Sequence, residues 1–405
     1  MKLSVERNDL FKAMGRAQSI VERRTTIPIL SNVLIEAKES AISLRATDLD
    51  IELTDKVTAV VEKGGSITVG AHTFYEILRK LPEGSRVLLD IDPLNEKINI
   101  SAGRSRFSLT TISVDDFPVM ASSEYDFTFS LDVRSLKRLF DKVKFAMSME
   151  ETRFYLNGVY FHEFVEDEKK YIRTVATDGH RLAKIDSDMP EQAAGIPGVI
   201  VPRKTVSELR MIYETSEDIV TVSISEAKIR FSTPTLSLTS KVVDGTFPDY
   251  DRVIPKNNSK KLVIDATEFS QAVDRVATVS SERARAVKLS LSLDKLILSV
   301  NAPETGLATE EIPIELVATL STLAKCLSVC PPTLKLTRSP VVTIPGHVNP
   351  GEVTVTPPEI LPLVLIQEIV GAAEIDAIPI TLAVEVTRSA VKVLIPVPAP
   401  LVVLP

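Results

Sequence analysis

Three stretches of this chain align with one another without gaps. They are residues 3–14 (LSVERNDLFKAM), 129–140 (FSLDVRSLKRLF) and 262–273 (LVIDATEFSQAV), at offsets of 126 and 133 residues. Each reads as a short alternating strand, then a polar start signal, then apolar residues at helical spacing. An internal repeat constrains architecture more than any single motif. Other pairs keep the same order: 28–35 (PILSNVLI) with 154–161 (FYLNGVYF), and Ala46-Thr47-Asp48 with Ala176-Thr177-Asp178. Residues 97–112 (KINISAGRSRFSLTTI) pair with 228–243 (KIRFSTPTLSLTSKVV), and Phe117-Pro118 with Phe247-Pro248.

A half-period is also visible. Residues 67–77 (ITVGAHTFYEI) and 199–209 (VIVPRKTVSEL) are again strand followed by helix. Between the helices the chain alternates apolar and polar residues, with turn residues at short spacing, as antiparallel sheet with one buried face requires. The expected class is α+β, with three tandem similar domains, each placing two helices on antiparallel sheet. Unit starts fall near 3, 67, 129, 199 and 262. The sixth, due near 325, meets LAKCLSVCPPTLKLTRSP instead.

Composition changes at about residue 312. All 21 aromatics precede it, whereas 14 of the 25 prolines follow it. Proline removes a backbone donor and breaks helices and central strands. The second half of the third domain is therefore atypical. The expected boundaries are 1–125, 126–254, 255–312 for a first half of domain three, and 313–405 for the tail.

Several chemistries find no support. Cys326 and Cys330 make neither a disulfide framework nor a zinc site. His72, His162, His180 and His347 are scattered, so no metal and no cofactor is expected. No glycine-rich phosphate loop and no G-x-S-x-G elbow occurs. No apolar run reaches a membrane span and the first residues are charged, so a cytoplasmic protein without membrane contact is expected. Thr177-Asp178-Gly179-His180-Arg181-Leu182 resembles a catalytic cluster. It reads as an acid–base pair, a structural Asp-Gly turn or a binding surface, and no nucleophile can be named for it.

Net charge is −7, which argues against nucleic acid on totals alone. The helices nevertheless carry Arg7, Lys12, Arg16, Arg23 and Arg24, then Arg79 and Lys80. Arg134, Lys137, Arg138, Lys142 and Lys144 follow, with Arg203, Lys204, Arg275, Arg283 and Arg285 beyond. A basic helix face is usually only a solvated one. Basic residues on five equivalent helices of an acidic chain fit a polyanion met by all of them.

Residues 1–312 resemble the bacterial β sliding clamps, the processivity subunits of DNA polymerase III. The resemblance rests on Thr26-Ile27-Pro28-Ile29-Leu30, residues 101–109 (SAGRSRFSL), Tyr155-Leu156-Asn157-Gly158 and residues 174–182 (TVATDGHRL). It rests also on Val201-Pro202-Arg203-Lys204 and Phe247-Pro248-Asp249-Tyr250. It implies a non-catalytic homodimeric ring around double-stranded DNA, with no catalytic residues. Family DNA contacts carry over onto Arg24, Arg79, Lys80, Arg153, Tyr155, Arg203 and Lys204. The ring interface carries over onto Arg104, Arg106, Phe107 and Leu109, facing Val279, Arg283, Arg285, Glu304 and Glu310. A cleft for short peptides of the polymerase III catalytic subunit, the clamp loader, other polymerases and repair proteins carries over onto Leu156, Thr177, Gly179, His180, Arg181, Leu182, Pro248, Arg252 and Val253.

The tail departs from the family. Lost aromatics, added proline and extra length together suggest translation of a shifted reading frame. One permitted codon choice for Leu320-Ser321-Thr322-Leu323-Ala324, read two bases later, encodes a start resembling the family's sixth strand. A clamp-fold binding module unable to close a ring, and an enzyme using His180, are the alternative readings.

Overall fold

The computed structural model describes residues 1–23, 25–92, 97–120, 124–214, 218–254, 260–280, 286–291, 295–318, 341–342, 383–386 and 391–395. Cys326, Cys330, His347 and most of the tail lie outside them, as does the expected sixth unit. The chain divides into two units, Met1–Phe247 and Pro248–Pro405.

The first unit opens with β1 (Lys2–Glu6), α1 (Arg7–Ile20), β2 (Asn32–Lys38), β3 (Ala41–Thr47), β4 (Ile51–Thr58) and β5 (Val60–Lys63). Then come β6 (Gly65–Gly70), α2 (Ala71–Lys80), β7 (Arg86–Asp92), β8 (Lys97–Ala102) and β9 (Ser105–Thr110). The pattern restarts with β10 (Phe127–Asp132), α3 (Val133–Asp141), β11 (Gly158–Glu166), β12 (Lys169–Thr177), β13 (Leu182–Asp188) and β14 (Val199–Pro202). It ends with α4 (Arg203–Glu208), α5 (Arg210–Tyr213), β15 (Ile219–Ile224), β16 (Lys228–Ser232) and β17 (Leu236–Lys241).

The sheet orders repeat as the sequence does. The β1-β7-β8-β9 run, edged by β5, matches β10-β15-β16-β17. Likewise β6-β2-β3-β4 matches β14-β11-β12-β13. One ladder joins the two domains: β17 pairs antiparallel with β4, Leu238 opposite Leu53. The result is a single eight-stranded sheet running from β10 to β6. Strands β9 and β13 remain sheet edges among the described residues.

The second unit begins the pattern a third time. It holds β18 (Lys260–Ile264), α6 (Ala266–Ala277), β19 (Lys288–Leu291), β20 (Lys295–Ala302), β21 (Gly306–Pro313) and β22 (Glu315–Ala318). Short tail strands follow as β23 (Val341–Val342), β24 (Ala383–Val386) and β25 (Val391–Ile395). Its sheets run β22-β18-β25-β24 and β21-β20-β19-β23, which again leaves β21 at an edge.

The aligned apolar columns are the core. Leu10, Leu136 and Phe269 are buried, as are Ala13, Leu139 and Ala272, and Met14, Phe140 and Val273. Spacing of three and four residues puts each set on the sheet-facing stripe of its helix. Phe140 stacks on Phe161 at 6.0 Å and meets Phe231 edge-on at 5.9 Å. Asp132 caps α3 by accepting from the Ser135 amide at 2.7 Å. Asp265 caps α6 by accepting from the Thr267 and Glu268 amides.

Candidate DNA and partner interfaces

The structure sorts the basic residues into those engaged within the chain and those facing solvent. Arg7 is buried, with Nε donating to the Leu78 carbonyl at 2.7 Å and a terminal nitrogen to that of Arg79 at 2.9 Å. It satisfies the carbonyl end of α2 and lies over the Phe11 ring. Arg16 reaches the buried carboxylate of Asp55 at 2.6 Å. These two cations belong to the fold, which corrects their place on a basic surface stripe. Arg79 is exposed and pairs with Glu76, and Lys80 beside it is exposed.

Arg203 and Lys204 open α4. Arg203 donates to the carbonyls of Met147 and Ser148 at 2.8 and 2.7 Å. Burial, and then the neighbouring charge of Arg181, lower its pKa. Lys204 donates to the Ile20 carbonyl at 2.9 Å and to the carboxylate of Asp48. Arg153 is exposed and pairs with Glu150 at 3.2 Å, while half-buried Tyr155 meets Phe154 edge-on. Arg24 lies outside the described residues.

Residues 177–182 form a closed turn at the end of β12. The Thr177 hydroxyl donates to the Arg181 carbonyl at 2.7 Å and accepts from the Gly179 amide at 3.1 Å. Asp178 accepts from the amides of His180 and Arg181, and its second oxygen accepts from the Arg181 guanidinium at 2.9 Å. Gly179 has φ +89°, where a side chain is disfavoured. This assembly leaves His180 exposed.

The same bonds recur at residues 47–51. Thr47 donates to the Ile51 carbonyl and accepts from the Leu49 amide, and Asp48 accepts from the amides of Asp50 and Ile51. The motif is thus first a turn that the fold uses twice. Only the second copy adds glycine, histidine and arginine to it.

Around that turn Leu156 is buried, Leu182 is half-buried, and Arg181 lies 5.7 Å from the Phe145 ring. In the second unit Pro248 and Val253 are exposed, and Arg252 pairs with Asp249 at 2.7 Å. The two groups belong to different units.

Of the ring-interface residues, Arg104 and Arg106 are exposed beside and on the edge strand β9. Phe107 and Leu109 alternate with them and pack against the core. Glu310, on edge strand β21, pairs with Arg275 at 2.5 Å, and Glu304 is exposed in the preceding turn. The Val279 carbonyl accepts from the Thr305 hydroxyl. Arg283 and Arg285 lie outside the described residues. Among the described residues no three His, Cys, Asp or Glu side chains converge as a metal site. No helix there is long and apolar enough to cross a membrane.

Sequence reasoning missed the side chains that lock this geometry. Arg173, 1% exposed, holds Asp186 through two bonds of 2.6 and 2.8 Å and lies 3.2 Å from the Phe164 centroid. Tyr160 is stacked between His162 and Phe247. Strand alternation placed them on one face, but nothing in the sequence marked that face as covered.

Three successive repeats, two helices on antiparallel sheet in each complete one and a strand ladder joining domains define a DNA clamp fold. Domain families described as DNA polymerase III beta subunit, N-terminal, central and C-terminal domain match residues 1–121, 130–249 and 251–321. The beta sliding clamp of Caulobacter vibrioides is 49% identical over 315 residues, covering 78% of this chain and 85% of that protein. That of Escherichia coli K12 is 37% identical over 319 residues, covering 78% and 84%. A Caulobacter crescentus beta sliding clamp structure superposes with TM-score 0.77 at 40% identity, covering 98% of this chain and 99% of that one. A Bartonella birtlesii clamp bound to griselimycin superposes with TM-score 0.75 at 38% identity, covering 98% and 100%. The chain belongs to the DNA polymerase III beta subunit family, the bacterial sliding clamps of DNA replication.

Proposed function

We propose that two copies of this chain close head-to-tail into a ring around duplex DNA. The ring performs no chemistry and holds the replicative polymerase to its template by topology. The observation that carries this reading is the repeated sheet edge. Strand β17 pairs with β4 inside the chain, Leu238 opposite Leu53. Strand β9 is the counterpart of β17 and β21 that of β4, and both are edges. Pairing them between copies in an antiparallel register brings Arg104 and Arg106 alongside the acidic strand β21, which carries Glu310. Opposite charges across a ladder favour that register. Phe107 and Leu109 flank this contact, and Val279, Arg283, Arg285, Glu304 and Glu310 form the receiving side.

Within such a ring, loose phosphate contact suffices, because position without sequence specificity permits sliding. Arg24, Arg79, Lys80, Arg153 and Tyr155 supply it, with Arg203 and Lys204 contributing fixed charge from their protein-bound positions. The exposed turn at Gly179-His180-Arg181-Leu182, with Thr177, Leu156, Pro248, Arg252 and Val253, receives short apolar peptides. Their sources are the polymerase III catalytic subunit, the clamp loader, other polymerases and repair proteins. The activity is cytoplasmic. The tail at 313–405 is read as the product of a shifted frame, and the gene sequence beyond codon 300 tests this directly.

Retention on circular duplex DNA, lost when the circle is cut, tests the ring. Sizing at micromolar concentration should give twice the 44.4 kDa chain mass. Equal retention on both DNA forms, with a monomer on sizing, would establish instead a clamp-fold module that cannot close.

A further inference from the structure

The first helices of the three domains are aligned, but they do not carry equal charge. At three positions of the repeat that are exposed on α3, this helix has Arg134, Lys137 and Arg138. Helix α1 has Asn8, Phe11 and Lys12 there, and α6 has Thr267, Ser270 and Gln271. Positions i, i+3 and i+4 lie on one helix face, about 5–6 Å apart between neighbours. All three α3 side chains are exposed, while Leu136, Leu139 and Phe140 are buried on the opposite face.

No acid of the helix quenches this stripe. The Asp132 carboxylate caps the α3 N-terminus. Asp141 is engaged by Lys144 at 2.7 Å. None of the three cations has a carboxylate partner among the described residues. The other helices keep at most one free cation each, since Lys12 on α1 and Lys80 on α2 are exposed without a carboxylate partner among the described residues. Arg7 serves backbone carbonyls, Arg16 is paired with Asp55 and Arg79 with Glu76. Arg203 is bound to carbonyls, Lys204 is bound to Asp48, and Arg275 is bound to Glu310.

We infer that Arg134, Lys137 and Arg138 form the main phosphate-contacting patch of the first unit, outweighing the basic residues of α1, α2 and α4. A cation already held by a carboxylate is partly neutralised, so it displaces fewer counterions than a free one. Three free cations on one face displace about three. This inference rests on the duplex-encircling reading above and assigns the electrostatic part of it to one helix.

The test uses the full chain and a fluorescent duplex DNA in a sodium chloride titration. The logarithm of affinity falls with the logarithm of salt at a slope of about −0.9 per phosphate neutralised. The R134Q/K137Q/R138Q variant should flatten that slope by about 2 to 3, with dimer mass unchanged. R134K/R138K should keep the original slope, because charge and not side-chain shape is at issue. K169Q/K170Q removes two charges from the β11–β12 hairpin and should leave the slope as it is. An unchanged slope in the triple variant, or an equal fall per charge removed in the hairpin variant, would overturn the inference while the ring stands. Loss of circle-dependent retention in the unaltered chain would instead overturn the ring itself.

Discussion

Lys204 holds Asp48 across the junction of the first two domains. Its ammonium also donates to the carbonyl of Ile20, at the end of α1. One side chain thus ties α1, the turn after β3 and the start of α4. A second cross-junction pair, Lys241 with Asp50 at 2.9 Å, is far more exposed. Lys204→Met keeps the apolar stem but strands an Asp48 side chain that is 11% exposed. The expected cost is about 1 kcal/mol, discounted for the partial exposure of the lysine. Lys241→Met should cost under about 0.5 kcal/mol. Urea midpoints at unchanged m-value measure both. Equal costs would show that the junction is held by the β17–β4 ladder alone.

Leu49 and Gly179 occupy the same place in two turns, at φ +81° and +89°. Only the glycine is at ease there, since a Cβ in the left-handed region costs roughly 1–2 kcal/mol. Leu49 is also 40% exposed, so removing its side chain sacrifices little burial. Leu49→Gly should therefore raise the stability of the first domain by about 0.5–1 kcal/mol, after the entropy cost of a glycine. Gly179→Ala should lower it, and its new Cβ would stand 2.9 Å from an Arg153 nitrogen. A lower melting temperature for Leu49→Gly would show that the leucine is held by packing.

The fold was legible because the repeat aligned core columns with core columns. Once Leu10 matched Leu136 and Phe269, the helix faces and the sheets beneath them followed. The turn at residues 177–182 was legible as a cluster, and its duplicate at residues 47–51 shows that its hydrogen bonds serve the fold. What sequence could not show was partner choice. Arg7 and Arg16 read as surface charge because nothing local marks their partners, which lie 71 and 39 residues away. Arg203 and Lys204 match family positions, but their bonds to Met147, Ser148 and Asp48 exist only once the domains have folded. A charge stripe can be counted in sequence, but it is sorted into free and committed members only by tertiary structure.

Burial lowers the pKa of His162, with the adjacent Arg173 charge adding to the effect. Burial likewise lowers that of His72, with Arg23 adding to it. A histidine depressed in the folded state contributes stability that is present above its unfolded value of about 6.5 and lost as pH falls through the folded value. The first unit should therefore weaken as pH drops below about 6.5. His162→Phe keeps a ring against Tyr160, now 4.4 Å from the imidazole, and should remove part of that slope. His72→Gln should remove another part. Denaturant titrations from pH 5 to pH 8 decide it, and parallel curves for unaltered and His162→Phe chains would show that the stack does not sense protons.

Asp55 is 2% exposed and burial raises its pKa, while the charge and hydrogen bond of Arg16 work against that rise. Arg16→Met would leave the carboxyl buried with no cation. Breaking one side of a buried pair costs about 3–5 kcal/mol. The pH dependence gives the sharper signature. A carboxyl raised in the folded state contributes stability that is present below its unfolded value of about 3.9 and lost as pH rises through the folded value. Without Arg16 the folded value climbs further, so the penalty should be large at pH 8 and smaller at pH 5. Arg16→Met with Asp55→Asn should recover most of the loss at pH 8, because no buried charge is left. A penalty that is the same at both pH values, or a double variant as weak as the single one, would mean that Arg16 acts through packing of its stem and not through its charge.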